Sequence, residues 1–194
     1  TENPYKLSVS PTISTSYTIT SISDAAGCTG IISGSTGTAA VTVNDLPAAT
    51  LSGATSICEG ETASLQINFS SGTAPFDVVY SDGSSNYTIN GISSNFHSFD
   101  VNPIATTSYS IVSITDANGC SNNTASVGVL ITVKQPPVVD LGADRSICDG
   151  NSEVLDPSLS NLSTFVWSEG SSTPSITVSA EGTYSVTVTD TTGC

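Results

Sequence analysis

The chain has 194 residues and a formal net charge of −14, with 17 Asp and Glu against three Lys and Arg. That balance excludes nucleic acid and anionic membrane surfaces as partners, because both require a basic face. No apolar run has the length of a membrane-spanning helix and no stripe of period 3.6 persists, so neither membrane insertion nor a helical fold is expected. Short alternating runs bounded by Gly, Pro, Asn and Asp point instead to an all-β chain.

In chain order, KLSVSP (6–11) and SYTI (16–19) read as strands, and VTVNDLP (41–47) reads as a strand closed by proline. TASLQINF (62–69) places Ala63, Leu65, Ile67 and Phe69 on one face. PFDVVYSDG (75–83) places Phe76, Val78 and Tyr80 on one face and then turns at Asp82-Gly83. SNYTING (85–91) and HSFDV (97–101) supply two more strands. Tyr109 opens the next, TDANG turns out of it, and VGVLITV (127–133) follows. Later, FVWSEG (165–170) sets Trp167 where Tyr80 stands, and YSVTVT (184–189) is the last alternating run.

These segments repeat. SYTITSISDAAGC (16–28) returns as SYSIVSITDANGC (108–120) and as TYSVTVTDTTGC (183–194). SICEG (56–60) returns as SICDG (146–150), and VTVNDLP (41–47) as ITVKQPP (131–137). Self-similarity on this scale marks an array of like units. The landmarks divide the chain into the C-terminal part of one module (1–46), a complete module (47–135) and a module lacking its last strand (136–194). The sequence is therefore read as a window from a longer array.

Seven short strands with frequent turns fit an immunoglobulin-like β-sandwich, with Tyr109 as a corner tyrosine whose hydroxyl bonds back to the chain. The junction Lys134-Gln135-Pro136-Pro137 has no Gly/Ser spacer, and its prolines favour extended geometry, so the modules are expected to form an elongated array. Each module carries one early and one late cysteine. The expected pairs are Cys58 with Cys120 and Cys148 with Cys194, with Cys28 paired upstream of residue 1. Each pair would staple one pole of its sandwich and contribute roughly 4 kcal/mol on the chain-entropy account. Repeated paired cysteines imply an oxidising, extracytoplasmic setting.

Modules that open with SICxG, carry an aromatic before S-acidic-G and end in TYxVxVTDxxGC resemble the Ig-like and PKD-like repeats of giant cell-surface adhesins of the Bacteroidota. The gliding-motility adhesins of the SprB type belong to that group. The resemblance covers nearly the whole chain. It implies export by the type IX secretion system, anchoring at the outer membrane and a stalk role in adhesion and gliding. The implied partners are neighbouring repeats, the outer-membrane secretion and motility machinery, and surface polysaccharide.

Catalytic chemistry has little to stand on. His97 is the only histidine, and no GxSxG, HExxH, P-loop or paired-carboxylate pattern accompanies it. The Asp-x-x-Gly turns at Asp24, Asp116 and Asp190 lack the alternating oxygen ligands of a calcium loop and read as plain turns. Asp140, Asp144 and Asp149 are better placed for a cation, with calcium the candidate. Lys6 and Lys134 are too few for an isopeptide bond in every module. Sequons occur at Asn68, Asn86, Asn122 and Asn161, and Asp190-Thr191-Thr192 is similar to an O-glycosylation acceptor of the Bacteroidota. Tyr80, Tyr87, Phe96 and Trp167 could serve a sugar, although core packing suits Tyr80 and Trp167 better. The leading expectation is a non-catalytic adhesin stalk. The alternatives are a carbohydrate-binding or spacer module of a secreted enzyme, and a subunit of an extracellular filament.

Overall fold

The computed structural model describes residues 6–32, 38–124, 126–159 and 162–194. Every regular element among them is a β-strand, and the ladders fall into three stretches with no ladder crossing between stretches.

The middle stretch is the most complete. Its strands are β3 (Ala48–Gly53), β4 (Ser56–Cys58), β5 (Ala63–Ser71), β6 (Phe76–Ser81), β7 (Asn86–Ile92), β8 (Phe96–Val101), β9 (Thr107–Thr115), β10 (Ser121–Asn122) and β11 (Val129–Lys134). They form two sheets, one ordered β3-β5-β8 and the other β4-β11-β9-β6-β7, with β10 on β9. Alternation gives each sheet one apolar face. Leu51, Leu65 and Ile67 from the first sheet join Ile57, Phe76, Val78, Ile92, Ile111, Ile114 and Ile131 from the second in one buried cluster. That arrangement is compatible with a β-sandwich. β4 runs parallel to β11, with Cys58 opposite Lys134, whereas β9 meets β11 antiparallel with Thr107 opposite Ile131.

The flanking stretches repeat these pairings. β1 (Thr15–Thr18) meets β2 (Thr38–Val41) with Thr15 opposite Val41 and Tyr17 opposite Ala39. The repeat places those residues on Thr107, Ile131, Tyr109 and Val129, which are themselves opposite one another. β12 (Glu153–Leu155) meets β14 (Ile176–Val178) with Leu155 opposite Ile176, as Leu65 is opposite Phe99. β13 (Leu162–Trp167) meets β15 (Val186–Asp190) with Trp167 opposite Val186, as Tyr80 is opposite Ile111. The aromatic exchange at that site keeps both size and neighbour.

Three expectations need correction. KLSVSP is not a strand, because β5, which holds its middle counterpart β8 in the ladder, has no equivalent among the described residues before Val41. The module read at 136–194 as lacking only its last strand also lacks a first one over 138–148, since β4 is held by β11 and no described strand of the third stretch plays that part. The corner hydrogen bond expected of Tyr109 is made by its counterpart, with the Tyr184 hydroxyl donating to the Ala180 carbonyl at 3.1 Å. Tyr109 is instead buried in the core.

Candidate functional site

The features that recur with the best-preserved local geometry are the turns carrying the cysteines. In each late turn the aspartate carboxylate accepts two backbone N–H bonds. Asp24 accepts from Ala26 at 2.9 Å and Cys28 at 2.8 Å. Asp116 accepts from Asn118 at 2.9 Å and Cys120 at 3.0 Å. Asp190 accepts from Thr192 at 2.8 Å and Cys194 at 3.0 Å. The aspartate N–H donates to the cysteine carbonyl in all three, at 3.0, 3.1 and 2.7 Å. The glycine between them sits at φ of +82°, +77° and +91°, a left-handed conformation that a side chain would strain. Aspartate, glycine and cysteine are thus one device: the carboxylate holds the loop that aims the cysteine.

Asp116 goes further. It is buried, and its second oxygen accepts the Thr73 N–H at 3.0 Å, tying the β5–β6 connection to the turn. Burial works against its charge, but the N–H groups of Thr73, Cys120 and Asn118 outweigh that cost and hold the carboxyl below the ordinary carboxylate range. Asp190 is held low as well, first by the Thr192 hydroxyl and then by the Cys194 N–H. Carboxylates already engaged in this way have little capacity left for a metal.

The early cysteines sit on a second recurring turn. Glu61 N–H donates to the Cys58 carbonyl at 3.1 Å and Asn151 N–H to the Cys148 carbonyl at 3.0 Å. Gly60 and Gly150 have φ of +86° and +85°. Glu61 also accepts the Cys58 N–H at 3.0 Å.

The two kinds of turn occupy opposite poles. Cys58 faces Lys134 at the exit pole, past the residue of β11 that meets the start of β9. Cys120 lies beyond the other end of β9, at the entry pole, where Asn122 Nδ2 donates to the Pro47 carbonyl at 3.0 Å. The nine residues of β9 span about 30 Å, whereas bridged Cα atoms lie within about 7 Å. The expected Cys58–Cys120 bond is therefore excluded by the length of a strand. Cys148 likewise lies with residues 178–184, before β15, while Cys194 follows its far end. The expected Cys148–Cys194 bond fails for the same reason.

The bond that forms is Cys58–Cys194, with Cα atoms 5.6 Å apart and a sequence separation of 136. It joins the exit pole of the middle stretch to the entry turn of the third. Beside it, Lys134 Nζ donates to the Thr192 carbonyl at 3.0 Å. Cys28 and Cys148 are exposed free thiols, and Cys120 is a half-buried one.

The other candidates come out as follows. Asp140, Asp144 and Asp149 form no metal-binding group among the described residues, and Asp140 instead accepts the Gly142 N–H at 2.8 Å. His97 lies opposite Ile67, with its ring 6.4 Å from that of Phe99. Trp167 is buried and donates from Nε1 to the Thr173 carbonyl at 2.8 Å. Tyr80 packs against the core and stacks on Tyr87 at 5.2 Å, while Tyr87 and Phe96 remain exposed. Tyr80, Tyr87, Tyr109, Asp82 and Asp100 line a hollow of about 420 Å³. In it the Tyr87 hydroxyl donates to Asp82 at 2.9 Å. Asp82 is held below the carboxylate range chiefly by the N–H groups of Ser85 and Ser84. Among the sequons, Asn68 donates to Ser52 and Asn122 to Pro47, Asn86 stands exposed at the start of β7, and Asn161 lies outside the described residues.

No protein-family model matches the chain, and comparison with curated proteins finds no match.

Proposed function

We propose that this chain is a non-catalytic stalk segment of a large cell-surface adhesin, built from immunoglobulin-like modules in an elongated array and serving surface adhesion and gliding motility. The observation that carries the reading is the recurrence of pairing register and cysteine-bearing turns in three successive stretches. A spacer needs such repetition, whereas an enzyme needs one constellation of reactive groups. The sheet order β3-β5-β8 against β4-β11-β9-β6-β7, with β4 parallel to β11, supports the immunoglobulin-like assignment. The acidic surface keeps a long exposed chain soluble, and the disulfide suits an extracellular location at the outer membrane.

The hollow around Tyr80, Tyr87 and Asp82 favours a second reading, a carbohydrate-binding module of a secreted enzyme, because exposed aromatic and carboxylate groups together suit a sugar.

Antibodies against residues 47–135 test both. The stalk reading expects labelling of intact cells and loss of attachment or movement when bivalent antibody binds. Labelling confined to the culture medium, together with retention of the chain on a polysaccharide column that Tyr87→Ala abolishes, would favour the sugar-binding module and defeat the stalk.

A further inference from the structure

The three free thiols and the one disulfide obey a single positional order. We infer that the early cysteine of each unit is bonded to the late cysteine of the unit that follows it, so that the array is stitched across every joint and not within any unit. Cys58–Cys194 is the instance seen here. The rule assigns Cys120 and Cys28 each to the early cysteine of the unit before its own, and Cys148 to the late cysteine of the unit after its own.

The local geometry supports carrying the rule beyond one bond. Cys120 and Cys28 are presented by the same aspartate-held turn as Cys194, with the same donors and acceptors. Cys148 is presented by the same glycine turn as Cys58. Each unit therefore carries an acceptor turn at its entry pole and a donor turn at its exit pole. A strand's length keeps the two apart within the unit, and sequence continuity brings the exit pole of one unit to the entry pole of the next. At the observed joint the covalent path has two strands, the backbone through residues 134–138 and the disulfide beside it, with Lys134 Nζ closing a third, polar contact. Such a joint resists bending about the single backbone link. The entry pole around Ala117, Asn118 and Cys120 is thus a surface whose partner is the exit pole of a like unit bearing a Cys-acidic-Gly turn.

The chemistry balances by thiol–disulfide exchange. Two thiols of adjacent units lose two protons and two electrons to form the bond, and a disulfide oxidant of the oxidoreductase or glutathione class is reduced to two thiols. The inference goes beyond the adhesin reading and holds equally for a spacer in an enzyme.

Disulfide mapping at two levels tests it, with free thiols alkylated before unfolding. In the 194-residue chain oxidised with glutathione disulfide, one linked peptide, Cys58–Cys194, is expected, and Cys28, Cys120 and Cys148 should carry label or glutathione. In Cys58→Ser, Cys194 should become a labelled thiol and not move to Cys148. Should that variant fail to fold, Cys194→Ser serves in its place and should leave Cys58 free of Cys120. In the protein purified from its native source, Cys120 and Cys148 should both be recovered in crosslinks to cysteine peptides of adjoining units. A Cys58–Cys120 or Cys148–Cys194 peptide at either level, a bond among Cys28, Cys120 and Cys148, or recovery of Cys120 and Cys148 as free thiols from the native protein, would overturn the rule.

Discussion

The middle and third stretches place equivalent residues opposite one another, yet their interiors differ. In the middle stretch seven strands contribute buried side chains to one cluster, with Leu65, Ile67, Val78 and Ile131 wholly enclosed. In the third, among the described residues, only Phe165, Trp167 and Ile176 form a buried core, and Leu141, Leu155, Tyr184 and Val186 pack around it partly exposed. Register is thus a local property that a few residues of sequence carry, whereas a dry core needs every wall in place. β4 and β11 close the middle stretch along one edge, and the third has two separate two-stranded ladders with nothing equivalent among its described residues. The difference separates what a repeat inherits from its own sequence and what it obtains from completeness.

Leu65 and Leu155 occupy matching positions and provide the sharpest break of that comparison. Leu65→Ala should destabilise the middle stretch by roughly 2–5 kcal/mol. Leu155→Ala, at a site still open to water, should cost the third stretch about 1 kcal/mol. Differential scanning calorimetry of both variants decides it, and equal losses would mean that the third core is as closed as the middle one.

Next in size is the effect of cutting the bridge. Reduction, or Cys58→Ser, should lower the stability of the third stretch by roughly 4–5 kcal/mol on the chain-entropy account. The middle transition should stay in place, because its core owes nothing to the bond. A fall of the middle transition alone would point to a bridge confined within that unit.

The aspartate turns differ in burial, and acid should separate them. The folded-state values of Asp116 and Asp190 are depressed, so their contribution is full above the ordinary aspartate range near pH 4 and is lost as pH falls through the depressed values. Melts taken from pH 6 downward should show a steep loss in that window. Asp116→Ala should lower the middle Tm at neutral pH by about 5 °C, because part-buried N–H groups lose their acceptor, and should flatten the acid limb. An unchanged acid limb in that variant would place the sensitivity elsewhere.

The smallest effect concerns the exposed pair Arg145–Glu153 in the third stretch. Arg145→Ala should cost less than about 1 kcal/mol, and 0.5 M salt should erase the difference. A larger or salt-resistant loss would mean that the pair is shielded by structure the middle stretch does not need.

Much of the fold could be read from residues with periodicity two. Ala63, Leu65 and Ile67 line one face as their alternation requires, and Phe76, Val78 and Tyr80 follow suit. The equivalence of Trp167 with Tyr80 was legible because the flanking turn residues align. Strand formation at 6–11 and 138–148 was not, since alternation records a preference while a ladder needs a partner. The cysteine pairs were misread because a repeat reveals which residues are alike and says nothing of which pole they occupy. One signal was present: Cys120 lies eleven positions after Tyr109 along strand and turn, enough to carry that cysteine to the far end of the unit. The contact of Lys134 with Thr192 had no signal, because it depends on where two turns meet in space.

The 136-residue interval between Cys58 and Cys194 also has a meaning in time. A ribosome adding about 5–20 residues each second makes Cys58 roughly 7–30 s before its partner exists. Cys120 is made well before Cys194, so the wrong partner always arrives first. A protein relying on order of appearance would bond the two and trap itself. In the folded unit β9 stands between them, and that strand acts as a ruler that keeps the early partner out of reach. On the rule proposed above, each unit would reach its native shape as a dithiol, and each seam would close only once the following unit has folded.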